Sequence, residues 1–433
     1  MDHDTVFPRL RWFVLFVGCF AMCTTHIHMT SVPVILVTIA EDMNLNMGTA
    51  SQFMTGWQLA MAVSGIVLGF VCDRFGLTIA IMSGMLVSLA SALLTPVAGT
   101  SFWPFFFLRL LQGLSVGFVF PVIGFIGARW FPEKEHGLAT GIYFGFVSLG
   151  SAVGVFVTPL ILEAIGDWKM SIASLGVFNA TAILLALTVA RKKPPVIHVQ
   201  SAAPSRDKPG RTGFRECLAS PITWFGPLIV FANGWVFFGL YNFIPSFLAS
   251  PAPLGVGLGP VASGYLSLSL MVIGVVSGLI GGFAYGRVFK GRARPHVGIA
   301  FVLGALSILL VFPLVQANVP LIALILMVAG FAIPFQNPAI SSYIVKVYPA
   351  NGVARMMGWW YGIGAFGSVA GLFCGSVLIG VTGGYGWAIG MIAVSALVGL
   401  VLTMLFMKDN LRVGKTGTPD DISKRFKEGK VPG

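Results

Sequence analysis

The sequence predicts an all-α membrane protein, with twelve transmembrane helices in two six-helix, pseudo-symmetric bundles around a central cavity. Three observations carry that expectation. Only 10% of residues are charged against 56% hydrophobic, and mean hydropathy is +0.88; a soluble surface of this size needs far more charge. Apolar runs of about twenty residues, enough to cross ~30 Å of hydrocarbon as helices, recur along nearly the whole chain. Finally, the second half repeats the first.

The expected spans are 12–39, 50–71, 77–97, 102–128, 137–161, 169–190, 222–249, 261–285, 296–316, 319–344, 356–380 and 385–407. The first run is too long for a removable signal peptide, and no small-residue cleavage site follows it. The formal net charge of +12 does not point to a nucleic-acid partner, because the bases sit in short loops between spans. Arg9 and Arg11 precede span one. Arg74, Arg129, Lys134, Arg191 to Lys193, Arg287 to Arg294, Lys346 and Arg355 all follow even-numbered spans. Lys169 alone falls on the other face. That asymmetry places both termini in the cytoplasm, as expected for a multi-pass protein of the plasma (inner) membrane. Residues 1–190 and 221–408 read as the two bundles. The Pro-, Ser- and base-rich stretch 191–220 reads as a linker, and 409–433 as a cytoplasmic tail. The five cysteines are scattered and form no disulfide framework.

The repeat is explicit. "FPEKEHGLATGIYFGFVSLGSAVGVF" from Phe131 aligns without a gap with "YPANGVARMMGWWYGIGAFGSVAGLF" from Tyr348. In the same register Gly113 falls on Gly330 and Pro121 on Pro338. "GFVCDR" at Gly69 aligns with "GFAYGR" at Gly282 in a register shifted by four, so the second half carries a four-residue insertion. Two six-span units of like orientation imply a pseudo-two-fold axis along the membrane normal, a site between them near the midplane, and alternating access by rocking.

Two motifs resemble those of the major facilitator superfamily. "GFVCDRFG", Gly69 to Gly76, resembles the family's loop 2–3 signature, and "RLLQG", Arg109 to Gly113, resembles its Arg-x-x-Gln-Gly signature in span four. The resemblance covers essentially the whole chain. It implies that Gly69, Asp73, Arg74 and Gly76, with Arg287 at the repeated position, gate the cytoplasmic side. The bases expected after Gly76 are replaced by Leu77 and Thr78, and span five lacks the Gly-Pro pair of the antiporter signature. The loop and span-five motifs look most like branches that move small organic or inorganic anions.

The resemblance also implies that spans 1, 4, 7 and 10 line the cavity, helped by 2, 5, 8 and 11. The substrate-binding candidates are then His26, His28, Gln58, Arg109, Gln112, Tyr143, Asn233, Tyr241, Asn242, Gln336, Asn337, Trp360 and Tyr361. For each, a tie between helices is the competing role. No Asp or Glu lies between Cys217 and Met407, and no carboxylate falls mid-membrane in the first half. The buried ionisable groups, Arg109, His26 and His28, are therefore neutral to positive, which suits an anionic substrate. Pro33, Pro245, Pro334 and Pro338 are expected to break or kink their helices.

The function expected is secondary transport of a small carboxylate-type anion. A proton is the expected coupling ion, carried by a histidine. The protein is expected to act as a monomer, with no cofactor and no enzymatic activity. "GCFAMCTTHIHMT" (Gly18 to Thr30) keeps a soft-metal carrier open, since Cys19, Met22, Cys23, His26 and Met29 share one helical stripe. An exporter of amphipathic drugs or lipids also stays open, as does a non-transporting membrane sensor. His26 and His28 stand about 200° apart on a helix, so one of them faces the cavity.

Overall fold

The computed structural model describes residues 9–68, 70–99, 101–132, 135–190, 192, 217–314, 319–348, 353–411 and 413. Gly69, the Asp73 side chain, nearly all of the expected linker and the tail beyond Val413 lie outside the described part.

Among the described residues the structure is helical throughout. Spans one to six are Leu10–Val34 with Leu36–Asp42, Met47–Val67 with Phe70–Phe75, Leu77–Ala98, Phe102–Val119 with Val122–Trp130, His136–Ile165, and Trp168–Ser174 with Gly176–Val189. Spans seven to twelve are Pro221–Ala249, Gly259–Arg287, Ala293–Leu314, Val319–Val347, Val353–Thr382 and Gly386–Phe406. Eleven of the twelve are both long and apolar enough to cross a membrane. Met47–Val67 is 21 residues long but is diluted by Gln52 and Gln58. Its start is fixed by Asn46, whose side chain accepts from the Thr49 amide at 2.8 Å. Gly166, in the left-handed conformation at φ 76°, ends span five.

Prolines act unequally. Pro33 has no N–H to give the Met29 carbonyl, and span one is interrupted two residues later at Ile35 (φ −112°, ψ 17°). Span four is interrupted at Phe120–Pro121, where no break was expected. Pro245, Pro334 and Pro338 lie inside helices that continue through them.

The sequence repeat reappears as repeated packing. A Cβ on Gly113 would collide with the Trp57 carbonyl, and one on Gly330 with the carbonyl of Leu270, the repeat counterpart of Trp57. Likewise Gly150 sits on the Cys23 carbonyl and Gly367 on that of Phe231. Spans two and four, and spans one and five, thus approach backbone to backbone in the first bundle, and their counterparts do so in the second. Small residues permit this close approach.

The two ends differ. The end bearing Arg11, Arg74, Arg129 and Arg287 is called the basic end below. At the other end, beyond the apolar run of span one, Lys169 pairs with Asp42 at 2.8 Å, and the Trp168 indole donates to the same carboxylate at 3.0 Å. The Lys169 and Trp168 hydrogen bonds hold the Asp42 carboxyl below its ordinary range. This opposite end is closed between the bundles. Ser246 donates to the Pro33 carbonyl at 2.7 Å, and Gly48 stands against the Gly380 backbone. In mid-membrane Gln58 donates to Ser368 at 2.6 Å. Spans five and eight stay together from Gly264 beside the Val155 carbonyl to Gly141 beside Leu279. Spans two and eleven do not: among the described residues, nothing beyond the helix's own backbone lies within 4 Å of a Cβ placed on Gly65, Gly358 or Gly362. The bundles therefore part toward the basic end along that pair.

Gly150→Ala and Gly367→Ala each press a methyl onto a neighbouring carbonyl, an overpacking cost of about 1–3 kcal/mol. Both are expected to lower the thermal midpoint in detergent by several degrees, whereas Gly358→Ala leaves it unchanged. Unfolding followed by intrinsic tryptophan fluorescence measures all three.

Candidate functional site

Arg109 is the centre of the polar interior. It is 1% exposed, and a guanidinium buried at membrane depth needs an acceptor for each N–H. It donates through Nη1 to the His28 carbonyl at 2.8 Å and to Gln112 Oε1 at 2.5 Å. Nη2 reaches the Met29 carbonyl and Nε the Phe53 carbonyl, both at 3.4 Å. The Met29 carbonyl is the one released by Pro33. The interruption in span one therefore supplies an acceptor that span four uses. Gln112 lies one helical turn beyond Arg109, so the Arg-x-x-Gln spacing is what lets the two side chains meet. Among the described residues no carboxylate pairs with Arg109, so its charge is solvated by dipoles and is not neutralised.

The two histidines take different parts. His28 is fully buried, and its Nε2 lies 2.6 Å from Oδ1 of Asn179 in span six, whose amide nitrogen approaches Met85 sulfur at 3.8 Å. His28 therefore points into its own bundle. His26 holds the Met22 carbonyl and the Thr25 hydroxyl, each 3.1 Å from Nδ1, and sets its ring edge-on to Trp57 at 6.0 Å. Among the described residues no hydrogen bond reaches its Nε2. Span two, which carries Trp57, also makes the Gln58 contact across the bundles, so His26 is the histidine on the central side. Cys23 lies elsewhere, packed with Ile27 and Leu175. The Cys/His stripe is thus divided between neighbours. No cluster of three His, Cys, Asp or Glu is found among the described residues.

In the second bundle Asn233 donates to Asn337 Oδ1 at 2.9 Å, joining spans seven and ten. Tyr241 stacks on Phe237 at 4.3 Å, and its hydroxyl faces Ser148 of the first bundle beside Gly274. Other candidates are engaged locally in this state. Tyr143 donates to the Val119 carbonyl at 2.8 Å, an acceptor left over where span four breaks. Asn242 donates to Phe238 O at 2.7 Å, and the Tyr361 and Ser341 hydroxyls are 2.8 Å apart. Trp360 is wedged against Gly226 and donates to Tyr348. Buried polar atoms without a partner among the described residues include His28 Nδ1, Thr55 Oγ1, Trp57 Nε1, Gln58 Oε1, Gln112 Nε2 and Gln336 Oε1, from spans 1, 2, 4 and 10. Sequence reasoning missed Asn179, Trp57, Ser148 and Ser368. A lone Asn in an apolar span was the signal for the first, and nothing local marked the others.

Of the gating candidates, Gly76 adopts φ 88°, which its lack of a Cβ allows. Arg74 and Arg287 are exposed and lie over Phe75 and Phe283, at 5.4 and 5.5 Å from the ring centroids. Neither joins an ion pair among the described residues.

The family model of the Major Facilitator Superfamily matches residues 14–327 and 290–428. The chain belongs to this superfamily. It is a membrane transport protein and not an enzyme. Among characterised relatives, the gentisate transporter of Corynebacterium glutamicum is 23% identical over 76% of this chain and 73% of its own. The probable sulfoacetate transporter of Cupriavidus necator is 26% identical over 75% and 76%. The 4-hydroxybenzoate transporter of Acinetobacter baylyi is 23% identical over 87% of both chains. A bacterial homologue of the human lysosomal transporter Spinster, solved inward-facing and unoccupied, superposes with a TM-score of 0.71 at 17% identity, over 93% of this chain and 98% of that one. The superfamily's twelve-helix, two-bundle architecture is thus the fold observed, and "DRFG" and "RLLQG" sit at its span-two turn and in its span four.

If Asn179 serves to hold His28, removing either partner strands the other at a cost of about 1–3 kcal/mol. Asn179→Leu and His28→Leu should each lower the thermal midpoint, and the double variant should fall no further than the worse single. A thermal double-mutant cycle reads this directly.

Proposed function

We propose that this protein carries a small organic anion of the carboxylate type across the plasma (inner) membrane as a secondary active transporter, working by alternating access as a monomer. In this reading the basic end is cytoplasmic, the state seen is open toward the cytoplasm, and a proton is the coupling ion. The observation that carries the proposal is the Arg109 guanidinium, buried with no carboxylate beside it among the described residues and held by neutral oxygens. An ionised donor binds an anionic oxygen more strongly than it binds a carbonyl or an amide. A substrate carboxylate that replaced Gln112 Oε1 would relieve the unneutralised charge. The unpartnered Trp57, Gln58, Gln112 and Gln336 atoms would receive the polar groups of the rest of the molecule. The relatives support the same class, since gentisate, 4-hydroxybenzoate and sulfoacetate, named for them, are small organic acids. Aromatic carboxylates are preferred here because Trp57 supplies an indole beside His26. His26, with Nε2 free, is the proton carrier in this reading, and His28 is structural.

Uptake of labelled gentisate and 4-hydroxybenzoate into proteoliposomes tests the proposal. An inwardly directed proton gradient should raise the initial rate. Arg109→Gln should lower it roughly ten- to hundredfold, the loss of one charged hydrogen bond. His26→Gln should abolish the response to the gradient, while a folded His28→Gln keeps it. Undiminished uptake by Arg109→Gln contradicts the anion role. Transport indifferent to the gradient removes the proton.

A further inference from the structure

Spans nine and twelve meet in a seam on the outer surface of the second bundle. Phe301 seats against Gly399 and closes the seam's floor. Outside that contact the Met404 methyl packs onto Gly298, with Leu400 beside it, and the seam opens to the surface around them. The result is a groove of about 440 Å³ at the basic end, walled by Pro295, Gly298, Ile299, Val302, Leu400 and Met404, with Arg294 at its mouth. A second hollow of about 400 Å³ continues the same seam toward the other end, past Ile308, Leu309, Trp387 and Gly390. From Arg294 to Leu309 the seam runs about 22 Å at 1.5 Å per residue. Its walls are apolar, and Ile299 and Trp387 are 46% and 69% exposed.

The mouth is strongly positive. Arg287, Lys290, Arg292 and Arg294 are all exposed within eight residues. The acid beside them is Asp409, whose Oδ1 already accepts from the backbone N–H groups of Ala293 and Arg294 at 2.8 and 3.3 Å. The helix start is therefore capped by Asp409, and the side chains of Arg287, Lys290, Arg292 and Arg294 outnumber that one acid at the mouth. The first bundle lacks this device. Its matching turn, from Arg74 to Leu77, carries Arg74 alone, whereas the longer turn of the second bundle adds Lys290, Arg292 and Arg294.

We propose that this seam is a binding site for an anionic glycerophospholipid, with its phosphate on Arg294 and Arg292 and an acyl chain in the groove beside Gly298. A groove open to the bilayer, apolar along its length and basic at its headgroup end, is complementary to that class of molecule at both its parts. The zwitterionic lipids share the chains but carry no net negative charge, so the basic mouth selects between them. The site is independent of the transported substrate and lies outside the central space between the bundles.

Native mass spectrometry of the full chain in detergent, titrated with phosphatidylglycerol or with phosphatidylcholine of the same chains, tests this. One phosphatidylglycerol should bind with clear preference over phosphatidylcholine. Arg294→Gln should weaken it roughly fivefold, and Arg292→Gln with Arg294→Gln roughly twenty-fivefold. Arg129→Gln, an equal loss of charge at the same end of the other bundle, should change nothing. Ile299→Trp, which fills the groove and leaves the charges in place, should also weaken binding. Equal binding of the two lipids, an unchanged double variant, or an equal effect of Arg129→Gln overturns the proposal. So does displacement of the lipid by millimolar inorganic phosphate, which would assign the mouth to a free anion.

Discussion

The interior of this transporter is organised by the contact between the Arg109 guanidinium and the backbone of span one. A buried arginine at membrane depth costs about 2.5–3.5 kcal/mol even on insertion scales, and that cost has to be met locally. Here it is met by the carbonyls of His28, Met29 and Phe53 and by the side chain of Gln112. The Met29 carbonyl is free because Pro33 cannot donate to it. The break in span one, the Arg-x-x-Gln spacing in span four and the chemistry of the site are consequences of one another.

The two bundles share geometry and differ in chemistry. Glycines at repeated positions bring spans one, two, four and five into backbone contact, and the second bundle reproduces the pattern with different neighbours. Arg109 has no basic counterpart, since Leu326 occupies the matching place in the repeat. Backbone packing that tolerates no added methyl group keeps each bundle rigid, which suits the rocking of one against the other. Charge confined to the first bundle gives the central space its polarity. In the second bundle the polar ties are neutral, Asn233 to Asn337 and Tyr361 to Ser341. The contacts between bundles are correspondingly light: single hydroxyl and amide hydrogen bonds at Ser246 and Gln58, with glycine-lined crossings. Such contacts can part without leaving a buried charge behind.

The spans, the repeat and the resemblance were legible because each rests on many residues at once. Hydropathy sums over a whole span, and the repeat over several turns of two spans. The site was legible only as a set of polar residues at membrane depth. Arg109, Gln112, His26 and His28 were named, but their neighbours depend on helix rotation and depth, which periodicity does not encode. His28 turned to Asn179 and His26 to Trp57, a division that their wide separation around the helix left open. Trp360 and Tyr361, named as cavity candidates with a tie between helices as the competing role, make contacts that join spans seven, ten and eleven in this state. The break at Phe120–Pro121 was not among those expected, although Pro121 aligns in the repeat with Pro338, whose own helix runs on unbroken.

The central claim is that Arg109 is held in readiness for an anion. A structure of the full chain bound to 4-hydroxybenzoate tests it most directly. The account predicts the carboxylate within hydrogen-bonding distance of the Arg109 guanidinium, with Gln112 displaced from its present 2.5 Å contact. A ligand bound elsewhere, with Arg109 still on the His28 carbonyl and Gln112, would contradict it.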